Sequence, residues 1–148
     1  MNFLPVYLDA SALLKLVLPE RERMALESAL APWPDRLTSE LSAVECRRAV
    51  RRQPEAEVLS PRMEDILSSI TLLRLDPALL MLAGTLGPPR LRSLDAIHLA
   101  SALSIGDYPE AFVTYDDRLA EAARAAGLNV LTPGRWRKRC QTPFRALA

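Results

Sequence analysis

The sequence predicts an α/β fold with a central, mostly parallel sheet of about five strands flanked by helices. Short apolar segments rich in β-forming residues alternate along the 148-residue chain with segments of helical composition, and no internal repeat or long linker divides them. With 49% hydrophobic and 25% charged residues, the composition is that of a globular protein, which excludes wholesale disorder. We therefore expect one domain spanning residues 1–148.

Five segments have the character of strands because they are short, apolar and rich in β-branched or aromatic residues: residues 3–8, 36–38, 70–75, 111–115 and 129–132. The first segment, FLPVYL, contains Pro5, which lacks a backbone N–H and favours a sheet edge or the first residues of a strand. The second and fifth segments are the shortest. The fourth, AFVTY, ends directly before Asp116.

Helical composition fills the intervals between the strands, over residues 10–17, 20–30, 40–52, 55–67, 77–86, 94–105 and 119–126. Prolines follow the first two of these helices, and Ser39 is expected to cap the third. Pro61 is expected to interrupt the fourth helix, because a proline removes a backbone hydrogen bond. We expect Ser93 to cap the sixth helix and Gly127 to end the seventh.

Four acidic residues fall where strands end or helices begin. Asp9 and Asp116 follow the first and fourth strands, Asp95 lies in the first turn of its helix, and Glu45 lies one and a half turns into another. Ligands of open α/β sheets bind at the carboxyl ends of the strands, so we expect these side chains to converge there. Carboxylates that converge repel one another unless cations bind, and hard divalent ions such as Mg²⁺ or Mn²⁺ prefer oxygen ligands.

The same acidic positions also suit simple structural roles. An aspartate after a strand caps the next helix, and an acid in the first turn stabilises the helix dipole. Of the adjacent pair at the end of the fourth strand, we assign Asp116 to the site and Asp117 to the N-cap. His98 lies one turn after Asp95 and is the only histidine, so we expect it to pack or to support the site rather than to react.

Metal ions held by carboxylates activate water and stabilise the charge that develops on a phosphodiester during in-line displacement. Such a site needs no Ser, Cys or His nucleophile. The arrangement of acids therefore favours metal-dependent hydrolysis of a phosphodiester.

Four stretches of the sequence resemble the PIN-domain ribonucleases, and most closely the VapC toxins of toxin–antitoxin modules. They are VYLDASALLKL (6–16), TSELSAVECRRAV (38–50), RSLDAIHLASAL (92–103) and FVTYDDRLAEAARAAGLNVLTP (112–133). None of them is specific alone, but together they span nearly the whole chain in the order of the family. The resemblance implies a three-layer α/β/α fold and Mg²⁺-dependent endonucleolytic cleavage of RNA, leaving 5′-phosphate and 3′-hydroxyl ends.

The resemblance also implies roles for individual residues and partners. It makes Asp9, Glu45, Asp95 and Asp116 the catalytic acids, with Asp9, Asp95 and Asp116 as metal ligands and Glu45 acting through water or a second ion. Ser11 is expected beside the metal and the substrate phosphate. A homodimer and inhibition by a VapB-type antitoxin are further implications.

Basic residues suggest where RNA binds. The 19 basic and 18 acidic residues give a net charge of +1, which excludes binding of nucleic acid through overall charge but leaves local patches. Arg48 lies three residues after Glu45 on roughly the same helical face, and Arg137, Lys138 and Arg139 belong to the densest basic cluster. A solvated helix face and a disordered tail are the competing interpretations.

Two other functions stay open: a housekeeping RNA-processing PIN nuclease without an antitoxin, and a catalytically silent PIN module that binds RNA or a partner. An aspartyl-phosphate enzyme is disfavoured because position 11 is Ser and lysines occur only at positions 15 and 138. The two widely spaced cysteines predict free thiols, and no apolar run is long enough for a membrane span. We therefore expect a cytoplasmic protein.

Overall fold

The computed structural model describes residues 4–135, and within them five short strands form one sheet. The strands are β1 (Val6–Leu8), β2 (Arg36–Ser39), β3 (Thr71–Leu73), β4 (Ala111–Val113) and β5 (Val130–Leu131). Their order in the sheet is β3-β2-β1-β4-β5, and every neighbouring pair is parallel. The predicted α/β fold with a parallel sheet is confirmed.

Seven helices in the same part of the chain flank this sheet. They are α1 (Ala10–Val17), α2 (Arg23–Leu30), α3 (Glu40–Arg51), α4 (Ala56–Ser68), α5 (Pro77–Thr85), α6 (Ser93–Leu103) and α7 (Asp117–Ala125). None of the described helices has the length and apolar character that a transmembrane span requires.

Side chains of β1 alternate between two cores, one on each face of the sheet. Val6 and Leu8 pack with side chains of α1, α2, α3 and α4, whereas Tyr7 packs with those of α6 and α7. The Tyr7 ring stacks on Phe112 of β4, with centroids 5.1 Å apart. Helices on both faces give the three-layer α/β/α arrangement expected from the resemblance.

The strand order places β1 and β4 side by side in the middle of the sheet. Chain connections run from β1 to β2 on one side, whereas β4 pairs with β1 on the other, in the register Leu8↔Val113. The direction of winding therefore reverses between β1 and β4, and a crevice forms beyond their carboxyl ends. Asp9 follows β1 directly, and Asp116 lies three residues after the end of β4.

Two predicted helix features are wrong. Helix α4 is continuous and contains Pro61, because Leu59, Met63 and Leu67 on either side of it are buried in the core and hold the helix together. Ser93 is the first residue of α6 and not its cap; the N-cap position is Arg92, which makes no side-chain capping bond. The single-domain prediction for residues 1–148 extends beyond the described residues and stays a prediction.

Candidate active site

Asp9 is a buried carboxylate at the carboxyl end of β1. It is 3% exposed and forms the N-cap of α1. Its Oδ1 accepts hydrogen bonds from Ser11 Oγ at 2.6 Å and from the Ala12 backbone N–H at 2.9 Å, and its Oδ2 accepts one from Thr114 Oγ1 at 2.6 Å. Asp9 therefore caps α1, and the capping bond and the neighbouring hydroxyls together fix both of its carboxylate oxygens.

The charge of Asp9 lacks a basic partner among residues 4–135, since no arginine or lysine there forms an ion pair with it. Burial raises the pKa of Asp9, and the opposing effects of His98 and of the three hydrogen bonds do not cancel it. Ionised Asp9 is therefore under-compensated, and a bound cation would stabilise it.

Asp116 lies at the carboxyl end of β4 and is exposed. Its Oδ1 caps α7 by accepting a hydrogen bond from the Leu119 N–H at 3.0 Å, while Oδ2 accepts none from the described residues. The prediction that Asp117 caps α7 is wrong: Asp117 is the first helical residue and binds the Arg135 guanidinium through both carboxylate oxygens. Asp116 is the N-cap residue because its backbone is extended, with φ −86° and ψ 119°, directly before the first helical residue.

Asp95 is half-buried in the first turn of α6, and the other two aspartates influence it. Burial raises the pKa of Asp95, the charges of Asp116 and Asp9 raise it further, and His98 and Arg92 oppose them. Asp95 therefore lies near enough to Asp116 and Asp9 to be affected by their charges. In the described part of the chain, however, no three Asp, Glu, His or Cys residues form a ready set of metal ligands. The assignment of Asp9, Asp95 and Asp116 as ligands stays a prediction.

Glu45 reaches the same region through His98. Nε2 of His98 lies 2.6 Å from Glu45 Oε1, and Nδ1 lies 2.8 Å from the Tyr7 hydroxyl. A carboxylate oxygen only accepts hydrogen bonds, so Nε2 of His98 carries a proton and donates a hydrogen bond to Glu45. In the neutral imidazole, Nδ1 then accepts a hydrogen bond from the Tyr7 hydroxyl. His98 thus orients Glu45, as the expected supporting role requires.

The other predicted residues have different surroundings. Ser11 donates to Asp9 and accepts a hydrogen bond from the Tyr115 N–H at 2.8 Å, so its hydroxyl joins β1 to β4. Arg48 is exposed on α3, three residues after Glu45. Arg137, Lys138 and Arg139 lie outside the described residues. Their binding to RNA stays a prediction.

Sequence reasoning did not identify two contacts of this site. One is the hydrogen bond from Thr114 to Asp9, which joins residues 105 positions apart. The other is the hydrogen bond between His98 and Glu45, which are 53 positions apart, whereas the sequence placed His98 only near Asp95. The available signals were the two-residue spacing of Thr114 and Asp116 and the helical spacing of Asp95 and His98.

The donor set suits a hard divalent cation. Every donor that would face the ion is a carboxylate oxygen, which is the ligand that Mg²⁺ and Mn²⁺ prefer. The thiol of Cys46, a softer ligand, is buried in the core. One of these carboxylates, Asp9, is buried without an ionic partner among residues 4–135. The residues of this site therefore fit a Mg²⁺ or Mn²⁺ ion.

The PIN-domain family model matches residues 6–125. The chain therefore belongs to the PIN-domain family. A curated relative is Ribonuclease VapC46 of Mycobacterium tuberculosis, which is 41% identical over 128 residues, covering 86% of this chain and 97% of the relative. This relationship confirms the resemblance to VapC-type PIN-domain ribonucleases.

Solved structures show the same fold at lower identity. FitAcB from Neisseria gonorrhoeae superposes with a TM-score of 0.70 at 19% identity, covering 88% of this chain and 99% of that one. A toxin–antitoxin complex from Klebsiella pneumoniae gives a TM-score of 0.65 at 21% identity, covering 86% and 97%. Both support the three-layer fold and the order of its strands.

Proposed function

We propose that this protein is a VapC-type toxin, an endoribonuclease that hydrolyses RNA phosphodiester bonds with a Mg²⁺ or Mn²⁺ ion held by Asp9, Asp95 and Asp116. The main support is the buried carboxylate of Asp9, which lacks an ionic partner in the described structure and whose charge, like that of Asp116, raises the pKa of Asp95. The ribonuclease name of the 41% identical relative supports the reaction class.

Each residue of the site has a defined task in this reaction. Ser11, Ala12 and Thr114 hold both oxygens of Asp9 in one orientation before substrate arrives. Capping of α7 holds Oδ1 of Asp116, which leaves Oδ2 for the ion. A bound divalent ion would activate water and stabilise charge on the phosphate.

Glu45 is the fourth acid of the proposed mechanism. His98 holds its Oε1, so the carboxylate can accept a hydrogen bond from water or help to bind a second ion. Hydrolysis in this scheme leaves 5′-phosphate and 3′-hydroxyl ends.

Substitution of the acids tests the activity. Asp9→Asn and Asp95→Asn keep nearly the same shape, and each should reduce RNA cleavage by at least about 100-fold, as expected when a group that stabilises transition-state charge is lost. Asp65→Asn, at an exposed position of α4, is the matched control. Cleavage by the wild type should stop with a chelator and return with Mg²⁺. Wild-type rates in folded Asp9→Asn protein would exclude this mechanism.

We propose a VapB-type antitoxin and a second copy of the chain as protein partners, and the cytoplasm, where RNA is available, as the place of action. The Klebsiella pneumoniae neighbour, itself part of a toxin–antitoxin complex, supports the first of these. Co-expression with the product of an adjacent small gene should restore growth and give a co-purifying complex. Cleavage that no such protein inhibits would favour a housekeeping nuclease, and metal binding without cleavage would favour a silent module.

A further inference from the structure

A groove of about 630 Å³ lies between the start of α6 and α7, and three arginines line it. They are Arg90, Arg92 and Arg118, and we call this feature the arginine groove. We propose that the arginine groove binds backbone phosphates of the RNA strand next to the point of cleavage. The proposal rests on the proposed function in that RNA is the substrate, and it adds a binding site to that function.

The groove is continuous with the acidic site. Asp95 lines one wall of it, and Arg118 lies two residues after Asp116, on the first turn of α7. Arg92 lies close enough to Asp95 to lower its pKa. A strand that occupies the groove therefore reaches Asp95.

The arginines of the groove differ in their pairing from four other cations of the described structure. Arg23, Arg47 and Arg135 each bind a carboxylate, and Lys15 binds both Glu20 and Glu22. Within residues 4–135, none of the three groove arginines forms an ion pair. Their guanidinium groups therefore remain available for an anion, and the planar fork of arginine binds phosphate through two hydrogen bonds.

The shape and the remaining lining fit a nucleotide chain. Sites for small ligands usually enclose about 300–1,000 Å³, and the groove lies within that range. Leu91 and Ala122 add apolar surface, on which sugars and bases can pack. Glu121 is the one acidic group in the lining besides Asp95, and its charge opposes phosphate binding. Removal of the Glu121 charge should therefore strengthen RNA binding, whereas removal of the arginine charges should weaken it.

The test measures binding of a labelled, mixed-sequence single-stranded RNA by fluorescence anisotropy over a series of salt concentrations. The protein carries Asp9→Asn so that the RNA stays intact. Each lost phosphate contact reduces the slope of log K against log salt by about 0.7, so Arg90→Gln with Arg118→Gln should reduce it by about 1.4. Glu121→Gln should tighten binding. Arg92 is left unchanged because it also acts on Asp95.

Arg62→Gln with Arg124→Gln is the matched control, because it removes the same charge from exposed positions outside the groove, one of them on α7 itself. The control should leave the slope unchanged. In otherwise wild-type protein, the groove variant should raise KM for cleavage while kcat changes little, as for uniform substrate binding.

The outcomes separate the groove from the proposed function. If wild-type protein cleaves RNA and the groove variant keeps both slope and KM, the groove proposal is overturned and the nuclease remains. If the slope falls as expected but no RNA is cleaved, phosphate binding stands and the nuclease assignment fails. A groove variant that loses affinity for the antitoxin but not for RNA would assign the groove to the protein partner and overturn the proposal.

Discussion

Replacing Tyr7 with Phe removes a single oxygen atom from the buried chain Tyr7–His98–Glu45. The hydroxyl donates to Nδ1 of His98 at 2.8 Å, and the two side chains are 0% and 2% exposed. Because water does not reach this position, Nδ1 would lose its donor without a replacement. We expect Tyr7→Phe to lower the free energy of unfolding while leaving Glu45 bound to His98.

The structure sets the size of this effect. The phenyl ring keeps its stack on Phe112, so hydrophobic burial hardly changes. What remains is the unsatisfied acceptor, which costs about 1–3 kcal/mol. At about 2–4 °C per kcal/mol for a domain of this size, the melting temperature should fall by about 2–12 °C.

Urea unfolding followed by circular dichroism measures the change, and Tyr108→Phe is the matched control. Tyr108 is 49% exposed, so its substitution should stay within about 0.5 kcal/mol of wild type. Glu45→Gln should show the reverse pattern, because the amide oxygen still accepts from Nε2 while the charge is lost: stability changes little and cleavage falls strongly. If Tyr7→Phe is as stable as Tyr108→Phe, the buried hydrogen bond between Tyr7 and His98 does not stabilise the fold as inferred.

Three further substitutions test the site and its surroundings. Burial raises the pKa of Asp9, so stability that is present below the ordinary aspartate pKa is lost as the pH rises through the raised value. Asp9→Asn should flatten this fall in urea unfolding above the ordinary aspartate pKa, and should abolish any rise in melting temperature with Mg²⁺ beyond that from equal ionic strength. Identical pH slopes would contradict this account. Burial raises the pKa of Cys46 to about 12, so in a Cys140→Ser protein a thiol reagent at neutral pH should react only after unfolding; rapid labelling of the folded protein would show an accessible thiolate. Gly134 has φ 76°, and an added Cβ would lie 2.8 Å from Ala25 Cβ, so Gly134→Ala should cost at least about 1 kcal/mol by thermal unfolding. Gly106→Ala, which meets no atom within 4 Å, is its control, and equal losses at both positions would remove the steric explanation.

Features encoded by neighbouring residues could be predicted from the sequence. The alternation of apolar and helical segments indicated the parallel sheet, and the position of Asp9 and Asp116 shortly after strands indicated the edge at which they lie. Both inferences depend on hydrogen bonding and periodicity over a few residues. Pro61 shows where such reasoning fails, because burial of Leu59 and Met63 outweighs the local cost of a proline inside α4.

The contacts that build the site depend on long-range packing. The role of Asp116 as N-cap follows from the point at which α7 begins, which local composition did not determine. The pairing of His98 with Glu45 requires α3 and α6 to meet at one angle, and the arginine groove requires the loop before α6 to lie against α7. The sequence alone therefore determined which elements form and which residues stand at their ends. Only the tertiary structure decided which side chains touch, because those contacts join residues that are distant along the chain and depend on how whole elements pack.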